Sequence, residues 1–423
     1  MEAVTEAWRQ LAPAAVQAFL GWGKLYSVLL AGALLYWLVP WRAAREWLLV
    51  VGGFAFAYLA LDPLGAFLLV LLALAVHGLV RSRAAASRLA VVVATGLLVG
   101  GYWWLLLGGL RQVAVTHLPP DLLSRLFALR PPSGLLGLNV ITYLAYFMPV
   151  RMVHVLWDVH LKKAQAGSLR GFLAYCLFIP CLPCSPFMTY QDFSQQSAQA
   201  VRPGPRQVGY GLYRMGLGVV RLMGAAAVMM CYSSKAFVTP LGFSPAELWR
   251  AAIGFYLGLY LVLSFYADLA RGYGMLLGIR VPENFDRPLW SPNMLEFWRR
   301  WNIAMIAWFR RYLYFPLGGS RQGELRTSLN YGAVMVACAL WHGLGWPLLV
   351  WGVIQGACLA VTRLWQRLVP LKLGPVAGRL VLVLSTVCTF AYFSITLAML
   401  QSAIMHQPLG TMLEVAMRLL ALG

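Results

Sequence analysis

Apolar runs follow one another along this chain at 14–39, 47–61, 63–80, 89–110, 134–157, 171–190, 208–231, 248–270, 327–342, 345–364 and 376–400. A helix needs about 20 mainly apolar residues to cross a bilayer, and most of these runs reach or approach that length. Inside hydrocarbon every peptide group must be paired within its own segment, so the runs predict helices rather than open strands. Composition agrees: 61% of the residues are hydrophobic and 11% are charged. A soluble domain carries about 25% charged residues. The charge present is too sparse to cover a water-facing surface, which excludes an ordinary soluble enzyme, a disordered chain and a fibrous one. The expected fold is all-α: a polytopic integral membrane protein with about ten or eleven transmembrane helices, plus re-entrant and interfacial elements. Asp62-Pro63 splits two of the runs at a turn or helix break. Pro180, Pro183 and Pro186 fall within the run 171–190. Three prolines would leave carbonyls unpaired in lipid, so a broken or re-entrant element inside the protein is expected there.

The 34 Lys and Arg outnumber the 14 Asp and Glu, giving a net charge of +20. The basic residues fall mostly between apolar runs, where they act as topology signals retained on the cytoplasmic side. Nucleic acid is therefore not an expected partner. Seven cysteines lie mostly in apolar sequence, where Cys behaves as a small hydrophobe. Cys181 and Cys184 form a lone CxxC with no second pair and no histidine at ligand spacing, so no metal site is expected. The start Met1 to Glu6 is acidic and lacks a basic n-region, so no cleavable signal peptide is expected. Internal repeats and a separate soluble domain are not evident, and residues 1–423 read as one membrane domain.

The longest polar stretch, 271–326, carries nine arginines (271, 280, 287, 299, 300, 310, 311, 321, 326) and the acids Glu283, Asp286, Glu296 and Glu324. It also holds Trp290, Trp298, Trp301, Trp308, Tyr312 and Tyr314. Arginines interleaved with rings suit amphipathic helices lying at the membrane surface. Ser291 is placed to cap a helix with Pro292 in its first turn. No Pro or Gly interrupts Met294 to about Tyr314. On that continuous helix Trp298, Trp301, Asn302, Met305 and Trp308 share one face. Arg299, Arg300, Arg310 and Arg311 point largely elsewhere, and Pro316 with Gly318-Gly319 stops the helix. The segment is either an anchor of rings and arginines, or the support of a buried Asn302 amide that needs partners.

Leu340-Trp341-His342-Gly343 closes the run 327–342. His342 is the histidine most embedded in apolar sequence; it reads either as a hydrogen-bonded packing residue or as a group facing a cavity or relay. Asp268 ends the run 248–270, and an ion pair with an arginine such as Arg271 is the expected arrangement. Tyr190 and Asp192, after the proline-rich element, read as headgroup contacts or as pocket lining.

Four ordered motifs carry a family resemblance: Pro282-Glu-Asn-Phe285, Glu296-Phe-Trp-Arg-Arg-Trp301, Trp308-Phe-Arg-Arg-Tyr-Leu-Tyr-Phe-Pro-Leu-Gly-Gly319 and Leu340-Trp-His-Gly343. Together they resemble the membrane-bound O-acyltransferase (MBOAT) family. The likeness is strongest over 260–360 and points to the bacterial branch of alginate O-acetyltransferases and the D-alanyl transfer protein of teichoic acids. Ser185-Pro186-Phe-Met-Thr-Tyr190-Gln-Asp-Phe193 resembles a Gly-Pro segment of that branch. One position departs: the branch usually has His where this chain has Asn302, and other MBOAT branches carry Asn there.

The resemblance implies an MBOAT-like chamber through a bacterial cytoplasmic (inner) membrane, with His342 deep within it as the base. It implies an acyl thioester donor (acyl-CoA or acyl carrier protein), no tightly bound cofactor, and a hydroxyl acceptor on a cell-envelope polymer or glycan. Asn302 is then a hydrogen-bonding catalytic partner. Trp298, Arg299, Arg300, Trp301, Trp308, Arg310, Arg311 and Trp341 are candidates for donor or substrate binding, with headgroup anchoring as the other reading of the arginines. Asp268, Glu296 and Tyr190 are structural or pocket candidates. The partners implied are membrane lipids, the acyl donor and a periplasmic acyltransferase. Two further classes stay open: a transporter of an anionic solute, and a non-catalytic scaffold of an envelope-acetylation complex.

Overall fold

The computed structural model describes residues 25–58, 63–82, 87–106, 140–165, 167–182, 188–229, 234–369 and 374–421. These residues are helical with short connections, and no strand occurs among them. They divide into two compact units: Met1–Met215 with Leu269–Val281, and Gly216–Asp268 with Pro282–Gly423. Fifteen helices can be followed. The first eight are α1 (Leu25–Leu38), α2 (Arg42–Phe56), α3 (Pro63–Arg81), α4 (Arg88–Leu106), α5 (Val140–His160), α6 (Leu169–Cys176), α7 (Tyr190–Ala198) and α8 (Pro205–Met229). The remaining seven are α9 (Pro245–Leu276), α10 (Met294–Arg300), α11 (Ile303–Phe309), α12 (Gly323–His342), α13 (Trp346–Leu368), α14 (Pro375–Ile404) and α15 (Leu409–Leu419).

Helices α9, α13 and α14, with 32, 23 and 30 residues, are long and apolar enough to cross a membrane. On α14 the side chains of Leu380, Leu382, Val383 and Leu384 are all more than half exposed. A contiguous apolar surface of that kind is unfavourable in water and suited to lipid.

In the first unit, α2, α3, α5 and α6 meet around buried polar groups. Glu46 of α2, 3% exposed, receives Arg42 at 3.0 Å and Arg170 at 2.5 Å. Arg151 of α5 lies over the Tyr175 ring and donates to the carbonyls of Tyr175 and Cys176. Those carbonyls end α6 and have no acceptor role left within the helix, so a buried cation there is compensated by geometry and by the helix dipole. After α6 the chain makes a single turn at Ile179–Cys181, which is the break expected of the proline-bearing run. Pro183 and Pro186 lie outside the described residues.

In the second unit, α12 and α13 pack against each other where glycines remove side-chain bulk. A Cβ on Gly356 would fall 2.6 Å from the Gly332 Cα, and one on Gly352 would fall 2.8 Å from the Val336 Cα. Close backbone approach through small residues is how helices associate without a hydrophobic driving force between them. Beyond them, Ala251, Ala252 and Leu248 of α9 meet Ala398 of α14 and Val415 and Leu419 of α15 in an apolar core. The Trp249 indole closes it by donating to the Leu419 carbonyl at 3.0 Å.

Candidate active site

The segment 282–314 does not form one helix. Helix α10 stops at Arg300; Trp301 is extended (φ −102, ψ 126) and Asn302 is left-handed (φ 48, ψ 51) before α11 begins at Ile303. The cause lies in the Pro282–Phe285 motif, which docks into the break. The Asn284 carbonyl accepts from Ile303 N–H at 2.9 Å and its Oδ1 accepts from Ala304 N–H at 3.2 Å. Asp286 N–H donates to the Arg300 carbonyl at 3.0 Å. Both helix ends thus find partners from one neighbouring segment, which removes the penalty for interrupting a helix without Pro or Gly. Trp298, Trp301, Asn302, Met305 and Trp308 therefore do not share the single face expected of them. The cap also differs: α10 starts at Met294, and Asn293, not Ser291, accepts from the Glu296 N–H at 2.9 Å.

Around the break the side chains form an aromatic cluster. Trp301 stacks on Phe297 at 5.5 Å and touches Phe285 at 5.2 Å and Tyr256 at 5.9 Å. Phe393 of α14 lies against Phe297 at 4.0 Å, Trp301 at 5.4 Å and Trp298 at 5.9 Å. The Trp298 Nε1 is buried with no hydrogen-bond acceptor among the described residues. One turn beyond Phe393, the Thr396 carbonyl accepts from the Trp351 indole at 2.7 Å. The Trp351 ring in turn stands 6.3 Å from the His342 ring, which also meets Trp341 at 4.7 Å. A path of direct contacts and one helical turn thus links Trp301, beside Asn302, to His342.

The remaining candidates are placed as follows. Glu296 pairs with Arg299 at 2.6 Å and Arg300 at 3.7 Å. The residues 310–314 form a wider, π-helical turn. There Arg311 lies 5.6 Å over the Tyr312 ring, Arg310 lies 5.5 Å over Phe315, and Trp308 meets Tyr312 at 5.2 Å. Asp268, fully buried, is paired with Arg221 of α8 at 2.5 Å. An arginine partner is thus present, as expected; Arg271 donates to the Val281 carbonyl at 2.9 Å and the Tyr210 hydroxyl at 3.3 Å. Tyr190 belongs to the other unit: its N–H donates to His154 Nε2 at 3.2 Å and its ring packs on Tyr175 at 5.3 Å.

Sequence reasoning missed three residues here: Asn284, Arg221 and Gln355. Gln355 is 0% exposed, and neither of its amide atoms has a partner among the described residues. It sits on α13 four residues after Trp351, hence on the same face one turn along. Its signal in the sequence was an amide in the middle of the run 345–364, where an unpaired polar group is costly.

Described residues that are helical and lipid-suited at the surface, with a histidine against two tryptophans, define a membrane protein with a candidate reaction site. A family model described as the membrane-bound O-acyltransferase family matches residues 137–403, and the chain belongs to that family. A peptidoglycan O-acetyltransferase of Helicobacter pylori is 31% identical over 206 residues, 47% of this chain and 39% of the relative. An alginate O-acetylase of Pseudomonas putida is 31% identical over 196 residues, 46% of this chain and 40% of the relative. A teichoic acid D-alanyltransferase of Bacillus subtilis is 24% identical over 253 residues, 56% of this chain and 62% of the relative. The matched part of the chain thus spans less than half the length of the first two relatives.

Proposed function

We propose that this protein is a membrane-embedded O-acyltransferase. It moves an acyl group, acetyl or D-alanyl, from a cytoplasmic thioester donor (acyl-CoA or an acyl carrier protein) to a hydroxyl of a cell-envelope polymer or glycan. The observation that carries the reading is the family match across 137–403 together with the contacts of His342 with Trp341 and Trp351. The names of the relatives, O-acetyl and D-alanyl transferases, support the class of acyl group. The multi-pass arrangement in the inner membrane and a periplasmic acyltransferase partner belong to the same proposal.

An alcohol is a weak nucleophile at neutral pH. In the proposed reaction His342 accepts the proton of the acceptor hydroxyl as its oxygen attacks the thioester carbonyl carbon. The carbon–oxygen bond forms, the carbon–sulfur bond breaks, and the leaving thiolate takes the proton back from the imidazolium. Negative charge develops on the carbonyl oxygen meanwhile, and an amide N–H aimed at it lowers the barrier. Asn302 is the proposed donor of that hydrogen bond; the Trp298 indole in the same cluster and the Gln355 amide, one turn along from Trp351, are unspent donors. The ring walls keep water away from the acyl group. Arg299, Arg300, Arg310 and Arg311 are proposed to hold the donor's phosphates.

The test is acyl transfer in membranes carrying the wild-type chain or His342→Ala, with acetyl and D-alanyl thioesters supplied separately. A folded His342→Ala variant should lose about 10²–10⁴-fold in rate. Full activity in that variant would overturn the mechanism, and no transfer by the wild type from either thioester would overturn the function.

A further inference from the structure

Within the first unit a cleft of about 450 Å³ is lined by Gln199, Val201, Arg202, Gln207, Met275 and Arg280, among others. That volume lies within the range of small-ligand sites, about 300–1,000 Å³. Two helix ends frame it: α8 begins at Pro205 and α9 ends at Leu276. The Trp37 indole donates to the Leu276 carbonyl at 2.8 Å, and Arg45 lies 4.6 Å over the Trp37 ring. A membrane-spanning helix ending beside a tryptophan and arginine marks the headgroup level of a bilayer.

The cleft is built rather than incidental. Both amide atoms of Gln196 hold the Arg280 backbone, accepting its N–H at 2.7 Å and donating to its carbonyl at 3.4 Å. Gln207 Oε1 accepts from Gly204 N–H at 2.8 Å, which fixes the loop before α8. Gly278 has φ +73, and a Cβ there would fall 2.8 Å from the Val201 carbonyl, so only glycine lets the two segments close the floor.

The charge inside is one-sided. No Asp or Glu lines the cleft, and among the described residues Arg202 and Arg280 have no carboxylate partner. Amide side chains beside them supply further donors, and the first turn of the 25-residue helix α8 adds its partial positive charge. Paired guanidiniums with amides and a helix start form the donor set that recognises a tetrahedral oxyanion. We propose that this cleft binds a phosphate ester, with Arg202 and Arg280 as its principal ligands. The ester comes either from an anionic phospholipid headgroup in the plane of the membrane or from a small soluble phosphate monoester. The assignment does not depend on the acyl-transfer reading.

The test measures binding of two probes to the purified full chain: short-chain phosphatidylglycerol, and glycerol 3-phosphate. Wild type should bind at least one of them, with affinity falling as salt rises. The double variant Arg202→Ala/Arg280→Ala should weaken that binding by about tenfold or more. Arg202→Lys/Arg280→Lys keeps the charge but loses the planar fork, and should fall between the two. Both arginines are exposed, so the melting temperature should stay near that of wild type, separating lost binding from lost fold. Phosphatidylglycerol alone binding assigns the lipid source, and glycerol 3-phosphate alone assigns the soluble one. Binding of neither probe, or equal binding by wild type and the double-alanine variant, would overturn the proposal.

Discussion

Asn284 closes the helix break from outside it: its Oδ1 accepts from Ala304 N–H at 3.2 Å and its carbonyl from Ile303 N–H at 2.9 Å. A side chain 20 residues away thus does for α11 what a local N-cap usually does. Asn284→Ala should cost about 0.5–2 kcal/mol of stability. Asn284→Asp should recover most of it, because a carboxylate accepts the same bond at a helix start. Thermal unfolding of the purified variants in detergent checks this, and an unchanged midpoint in Asn284→Ala would refute it.

Removing one partner of the buried Arg221–Asp268 pair leaves an uncompensated charge. Asp268→Asn should destabilise by about 3–5 kcal/mol, whereas the double change Arg221→Leu/Asp268→Leu should restore much of the loss. A double-mutant cycle on unfolding midpoints reads the coupling directly. Additive losses in the two single variants would show that the pair contributes no coupling.

The glycines between α12 and α13 make an asymmetric prediction. A Cβ on Gly356 would fall 2.6 Å from the Gly332 Cα, while one on Gly332 would meet nothing within 4 Å. Gly356→Ala should therefore cost about 1–3 kcal/mol through overpacking. Gly332→Ala should be neutral or stabilising by up to about 1 kcal/mol, since alanine is the better helix former. Equal effects at the two positions, read by thermal melts, would contradict the packing described.

Glu324 sets an acid limit. Arg363 bonds it at 2.8 and 3.2 Å and Arg367 at 2.6 Å, and the Arg363 guanidinium foremost holds its carboxyl below the usual glutamate value. The unfolded chain, with its value near about 4.3, takes up the proton first as pH falls. The stabilisation is therefore full above that value and is lost as pH drops through the lower folded one. The melting-temperature gap between wild type and Glu324→Gln should be present at pH 7 and close in acid below about pH 4. A gap that persists or widens there would reverse the sign.

The helical class and the broken proline-bearing run were legible because both follow from local chemistry: unbroken apolar sequence and the missing N–H of proline. His342 stood out for the same reason, as an ionisable group closing an apolar run. The break at Trp301-Asn302 was hidden because nothing within 294–314 disfavours helix. Its cause is one backbone and one side-chain hydrogen bond accepted by Asn284, which no window along the helix contains. The identity of the Arg221 partner of Asp268, 47 residues away, is hidden likewise. Ser291 looked like a cap because Pro292 follows it, but the Asn293 side chain reaches the Glu296 N–H.

The left-handed backbone of Asn302 changes how that position must be probed. Among residues other than glycine, asparagine, aspartate and histidine are the ones that enter this region most readily. The asparagine here, and the histidine that the bacterial branch resembled in sequence usually carries, are therefore both admitted by backbone shape before any chemistry is asked of them. Alanine deletes the amide but also strains the peptide at φ 48. Glycine deletes the same amide and leaves the turn at ease. The difference in turnover between Asn302→Gly and Asn302→Ala thus measures conformational constraint, and the loss in Asn302→Gly alone measures what the side chain contributes to the reaction.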